Sequence, residues 1–117
     1  MDDYPKAVKR QLRELAAIAH ERELRTYLER LEMDFAQWRA GRIDTWELSD
    51  RIHRFHQGPS RDLFVQYTGN WPDMVVAHAL VSGLLKESEV TAEVLQALAR
   101  PIAFYRSLEQ DSKSRPE

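Results

Sequence analysis

Between Pro5 and Gly41 the chain contains neither glycine nor proline, and alanine, leucine, glutamate and arginine predominate. These residue types are among the strongest helix formers. Pro5 suits the first turn of a helix, where its missing N–H removes no hydrogen bond, and Gly41 suits the left-handed position just after a helix end. Residues 6–40 therefore predict a long N-terminal helix.

The apolar residues of this segment form two stripes that do not line up. Each stripe follows steps of three and four residues, but five residues separate Ala19 from Leu24, which turns the second stripe by about 140°. Either the helix bends at residues 20–23, or one continuous helix carries two stripes that face different ways. In a continuous helix, we expect the first half, with Leu12 and Leu15, to pack against a second copy of the chain. The first stripe is Val8, Leu12, Leu15 and Ala19, and the second is Leu24, Leu28, Leu31, Phe35 and Trp38.

The next segment has the signals of two shorter helices. Asp44 followed by Glu47 is typical of a capping box at a helix start. Residues 57–59, Gln-Gly-Pro, predict that this helix ends there, with glycine in the left-handed position and proline preventing continuation. Ser60 then predicts the cap of a short helix that runs to Tyr67 and buries Leu63, Phe64 and Tyr67.

The last third of the chain also reads as helix. Pro72 suits a first helical position, and the apolar run 74–85 predicts a helix enclosed by its neighbours. Thr91 is typical of the cap of a last helix, which Pro101 should kink. No segment alternates as a strand does. We therefore predict an all-α fold, a compact bundle of four to five helices in a single domain spanning residues 1–117, with polar frayed tails at about 1–4 and 110–117.

Composition excludes several classes of protein. The 117 residues include no cysteine, which excludes disulfide frameworks, thiol catalysis and cysteine-based zinc sites. The N-terminus is not that of a secretory signal, and no apolar run is long enough to span a membrane. We therefore expect a cytoplasmic protein without membrane contact.

The richest group of potential metal ligands lies on the second predicted helix. Asp50 and His53 are one helical turn apart, and His56 continues the row. Such ligands suit a divalent transition metal, but helical bundles usually repeat them on facing helices. His78 is a further candidate, although a core histidine with a hydrogen-bonded imidazole is the favoured interpretation. We favour a surface ion pair at Asp50 and His53, and we expect no cofactor.

Residues 44–67 also have the outline of a helix–turn–helix, so a DNA-binding regulator is an alternative function. The predicted recognition helix, however, offers only Arg61, Gln66 and Tyr67 as polar readers of bases. The first 57 residues balance 11 basic against 11 acidic side chains, whereas DNA-binding modules usually carry a clustered basic face. Nucleic acid is therefore not the favoured partner.

Trp46 lies on the polar side of its predicted helix, close to Asp50, Arg51 and Arg54. Aromatic residues and arginine are enriched in protein–protein interfaces. We therefore predict a non-catalytic interaction or regulatory module that binds itself or another protein, most simply as a homodimer, with Trp46, Leu12 and Leu15 at the interface. A metal-binding bundle that uses Asp50, His53 and His56 is the first alternative.

Overall fold

The computed structural model describes residues 4–114, with side chains to residue 111. Within that part of the chain the regular elements are helical and no strand occurs. The prediction of an all-α fold led by a long N-terminal helix is confirmed. The residues group into two compact units: the first combines the chain before His20 with the chain from Gly69 onward, and the second is His20–Thr68. The single-domain prediction stays a prediction.

The first helix, α1, spans Lys6–Arg39 without interruption, so the helix is not broken where the two stripes meet. It ends as the sequence predicts, because Gly41 adopts a left-handed φ of 76°. There the N–H of Gly41 donates to the Trp38 carbonyl at 3.0 Å and that of Arg42 to the Gln37 carbonyl at 2.9 Å. These bonds satisfy carbonyls that the helix end leaves without partners.

In the second unit, α2 (Thr45–Phe55) begins at the predicted cap, where Asp44 Oδ1 accepts from the Glu47 N–H at 2.7 Å. The predicted stop at Gly58 is wrong. A π-helical turn (His56–Ser60) carries the chain into α3 (Arg61–Tyr67), and Ser60 has helical φ and ψ with no capping bond from its side chain. The wider π-turn accommodates both the ring of Pro59 and its missing N–H.

The first unit holds α4 (Pro72–Ser82), α5 (Ala92–Ala97) and α6 (Ala99–Ser114). Pro72 starts α4, and Thr91 caps α5 by accepting from the Val94 N–H at 3.3 Å, as predicted. The kink predicted at Pro101 is a break between α5 and α6, because proline has no N–H to donate to the Ala97 carbonyl. Gly83 ends α4 with a φ of 86°.

The core of the first unit is formed by α1 and the three later helices, which also bury Leu85 and Val90 between them. Its fully buried side chains include Val8, Leu12, Val76, Leu85, Val94 and Leu98.

The frayed tails predicted at about 1–4 and 110–117 stay a prediction. The hydroxyl of Tyr4 donates to Asp73 Oδ2 at 3.2 Å, and α6 continues to Ser114. The predicted tail residues 1–3 and 115–117 lie outside the described residues.

Candidate interaction surface

The second half of α1 carries the second apolar stripe, which the chain leaves partly uncovered. Its five members recur at steps of four and three residues and therefore lie along one side of the helix. None of them is buried, and Leu28 is 45% exposed. The stripe extends over about 21 Å of helix. We define the α1 stripe as Leu24, Leu28, Leu31, Phe35 and Trp38.

The neighbouring side of α1 is occupied by the rest of the second unit. Arg51 on α2 donates to Asp34 Oδ1 at 2.7 Å and to Gln37 Oε1 at 3.1 Å. Towards the start of the unit, the Tyr67 hydroxyl on α3 donates to the Glu23 carboxylate. Because Glu23, Asp34 and Gln37 share one side of the helix, α2 and α3 pack beside the α1 stripe rather than over it.

The opposite flank of the stripe is open. Two shallow, open depressions of about 430 and 290 Å³ lie along it; both are lined by residues of α1 alone, and they share Leu28 and Glu32. We call the surface that they form together the stripe groove. Its floor is apolar and its rim carries charges of both signs. It is lined by Glu21, Leu24, Arg25, Leu28, Glu29, Leu31, Glu32, Phe35, Ala36 and Arg39.

Carboxylates hold two arginines of this unit. Arg25 pairs with Glu21 at 2.8 Å, and this hydrogen bond raises the pKa of Arg25. The bonds from Arg51 to Glu47, at 2.9 Å, and to Asp34 raise the pKa of Arg51. Both guanidiniums are therefore firmly cationic. The Arg25–Glu21 pair is exposed on both sides, and such pairs contribute little to stability, so Arg25 can exchange partners easily.

Few side chains are buried in the second unit. Among its described residues only Leu48, Leu63 and Tyr67 are buried. Phe64, which we expected to be buried, is 62% exposed. The unit therefore leaves several large apolar side chains in contact with water. The large apolar side chains exposed in this unit are Leu28, Met33, Trp38, Trp46, Ile52, Phe64 and Val65.

The three predicted interface residues lie in different surroundings. Trp46, in the first turn of α2, is 82% exposed. It follows Thr45, whose hydroxyl accepts from Trp38 Nε1 at 3.2 Å, so Trp46 lies near the Trp38 end of the α1 stripe. Leu12 and Leu15, by contrast, are buried in the first unit.

The expectation that the first stripe is left for another chain is therefore wrong. Thr91, the cap of α5, contacts that half of α1, where its hydroxyl donates to Gln11 Oε1 at 2.8 Å. The chain covers its first stripe with its own helices and leaves its second stripe open.

The candidate metal ligands do not converge. Within the described residues, no three His, Cys, Asp or Glu side chains come together in a group that could hold a metal ion. Asp50 pairs with Arg54 at 2.8 Å, and His53 and His56 are exposed on the second unit. His78 belongs to the first unit, where it is exposed and lies edge-on to Tyr105, with 5.0 Å between ring centroids. The interpretation of His78 as a core histidine is wrong, because α4 leaves this side of its turn uncovered.

The helix–turn–helix outline is also absent. Residues 45–67 stay helical through the π-turn, so no turn separates two helices there. Tyr67, a predicted base reader, is buried, and its ring stacks on His20 at 5.1 Å with 8° between planes. Burial, followed by the hydrogen bond from Tyr67 to Glu23 and the charge of that carboxylate, raises the pKa of Tyr67. Tyr67 joins α3 to α1 and is not free to read bases.

The π-turn forms a second groove, of about 440 Å³, that sequence reasoning missed. Residues 57–59 predict that the helix ends there, which would place the side chains before and after them on separate elements. The π-turn instead keeps the helix continuous and brings these side chains onto one side. A π-turn is frequent at functional sites, but the side chains here are mostly exposed. The groove is lined by His56, Gln57, Ser60, Arg61 and Phe64.

Across residues 4–114, no helix combines the length and apolar character that a membrane crossing requires. Comparisons with protein-family models, with curated proteins and with solved structures find no match to this chain.

Proposed function

We propose that this protein is a non-catalytic interaction module that self-associates through its second unit. The observation that carries the proposal is the uncovered α1 stripe, together with the small number of buried side chains in the unit that bears it. A small unit that buries only three of its described apolar side chains gains little from its own burial. Contact with a second protein surface would remove the stripe from water.

A second copy of the chain suits the stripe groove. In a two-fold dimer the same patch occurs on both sides and must be complementary to itself. The stripe groove meets this condition, because its floor is apolar and its rim carries both Arg25 and Glu32. Trp46, near one end of the stripe, adds the kind of exposed aromatic residue that forms the strongest contacts in interfaces.

Sedimentation velocity over about 1–200 µM protein tests the proposal. We expect a dimer whose dissociation falls within this range, and we expect Leu28→Glu to be monomeric with unchanged helical circular dichroism, because Leu28 is not buried within the chain. The matched control is Met33→Glu, on the same helix but outside the stripe and 65% exposed; it should remain dimeric. A wild-type protein that is monomeric throughout, or two variants that behave alike, would overturn the proposal.

Trp46→Ala gives a second test of the same surface. We expect the dimer dissociation constant to rise about tenfold, in line with the truncation of an aromatic interface residue. Thermal unfolding of the monomer should be nearly unchanged, because an 82% exposed side chain has few contacts to lose. An unchanged dissociation constant would remove Trp46 from the interface.

A further inference from the structure

We infer that the partner of the α1 stripe is the same stripe of a second copy, packed antiparallel, with reciprocal ion pairs between Arg25 and the partner's Glu32. This inference rests on the proposed self-association and specifies its geometry. It follows from the spacing of the stripe, from the flank that α2 and α3 occupy, and from the order of charges on the open flank.

The α1 stripe has the spacing of a coiled coil. Its members fall alternately on the two core positions of a seven-residue repeat, with Leu28 and Phe35 on one position and Leu24, Leu31 and Trp38 on the other. In such a repeat, two further positions contact the partner helix, one on each side of the core positions. On one flank of α1 these positions are Tyr27 and Asp34, and on the other they are Arg25, Glu32 and Arg39.

Only one of the two flanks is free to receive a partner. Asp34 is bonded to Arg51 of α2, so the chain already occupies its own flank there. Arg25, Glu32 and Arg39 line the open stripe groove. A parallel pair of helices brings opposite flanks together, so an occupied flank would lie in both seams between the helices. An antiparallel pair brings like flanks together, so the two open flanks meet in one seam about the two-fold axis, and α2 and α3 lie only at the other seam.

One antiparallel register aligns both the apolar residues and the charges. Placing Leu28 opposite the partner's Leu31 also places Leu24 opposite the partner's Phe35, so four of the five stripe residues form layers with each other. In the same register Arg25 lies beside the partner's Glu32, and two-fold symmetry repeats the pair. Arg25 is well placed to make this exchange, since its present pair with Glu21 is exposed. With α2 and α3 beside each stripe, the dimer would have the layout of a helical bundle.

Charge reversal tests the pairing by mixing two variants. A homodimer of Arg25→Glu would contain two pairs of facing carboxylates, and a homodimer of Glu32→Arg would contain two pairs of facing guanidiniums. In a heterodimer of the two variants both pairs are opposite in charge. We therefore expect the mixture to form a heterodimer with a dissociation constant about tenfold lower than that of either variant alone. Arg39→Glu mixed with Glu32→Arg is the control and should show no such preference, since Arg39 does not face the partner's Glu32 in this register.

Distances between spin labels test the direction of the helices independently. The chain has no cysteine, so Glu29→Cys and Ala36→Cys each give one labelled site, at equivalent positions of the repeat. In the antiparallel register the two labels of a dimer are offset along the helix axis by about 1.5 Å at residue 29 and by about 20 Å at residue 36. Parallel helices would give no axial offset at either site, and hence equal distances.

The results separate this inference from the proposed function. Preferential heterodimers together with a longer distance at residue 36 than at residue 29 would establish the antiparallel register. A dimer that Leu28→Glu disrupts, but with equal label distances or no charge preference, would overturn the register and leave self-association standing. A wild-type chain that stays monomeric would overturn both.

Discussion

Tyr67 links α3 to α1, and removing its hydroxyl should weaken the second unit measurably. Phenylalanine at this position keeps the ring and its stacking on His20, so only the bond to the Glu23 carboxylate is lost. Hydrogen bonds to charged groups contribute about 1.5–3 kcal/mol. Glu23 is half-buried and water can replace the hydroxyl in part. We therefore expect Tyr67→Phe to lower the free energy of unfolding by about 1.5 kcal/mol at neutral pH, near the lower end of that range.

The same pair makes a prediction for alkaline pH. The raised pKa of Tyr67 means that the folded state holds the phenol proton more tightly than the unfolded state does. The corresponding stability is complete below the unfolded pKa of about 10 and is lost as the pH rises towards the folded value, by at most about 1.4 kcal/mol per pH unit. The advantage of the wild type over Tyr67→Phe should therefore shrink above about pH 10.

Urea unfolding followed by tryptophan fluorescence and far-ultraviolet circular dichroism, at several pH values from 7 to 11, measures this difference. The matched control is Tyr27→Phe on α1, where the centre of the Tyr27 ring lies 5.1 Å from the guanidinium carbon of Arg30. Its hydroxyl makes no hydrogen bond within the described residues, so we expect a change below about 0.5 kcal/mol at neutral pH. If Tyr67→Phe were as stable as the wild type at pH 7, or if their difference stayed constant up to pH 11, the reasoning would be refuted.

Two further pairs of variants test the packing and the backbone. Leu12→Ala should lower the free energy of unfolding by about 2–5 kcal/mol, since Leu12 is fully buried. Ile18→Ala, at a residue 43% exposed on the same helix, should lower it by less than about 1 kcal/mol. Equal losses of unfolding free energy in chemical denaturation would contradict the placement of the first stripe. Gly83→Ala should destabilise by about 1–2 kcal/mol, because its φ of 86° is unfavourable for an L-residue. Gly58→Ala should instead stabilise the protein by about 0.5–1 kcal/mol, because Gly58 is helical and space is free around it. If the unfolding temperature shifted in the same direction for both glycine variants, these backbone conformations would be contradicted.

The sequence predicted helix starts and ends where a few neighbouring residues decide them. The caps at Asp44 and Thr91, the start at Pro72 and the left-handed end at Gly41 are all present. Each depends on one backbone angle or on one hydrogen bond across three or four residues, so the chemistry that decides it lies within the local sequence.

Local signals failed where a longer-range arrangement could satisfy them differently. Gly58 and Pro59 ordinarily end a helix, but here both lie within a π-turn that joins α2 and α3 in one helical run. The apolar neighbours of Phe64 and His78 in sequence predict that both lie in the core, yet both are exposed. A residue's neighbours in the chain show which side of a helix it shares, and burial depends on whether another element covers that side.

The candidate surface shows the same division. The sequence by itself determined that α1 is a long helix with two apolar stripes about 140° apart, because helical periodicity assigns each residue to a side. Only the tertiary structure decided that the first stripe is buried by the later helices and that the second remains open. Periodicity describes one helix at a time, whereas covering a stripe requires elements that are distant in sequence. Because the later helices cover the first stripe, the second stripe and not the first is the one available to a partner.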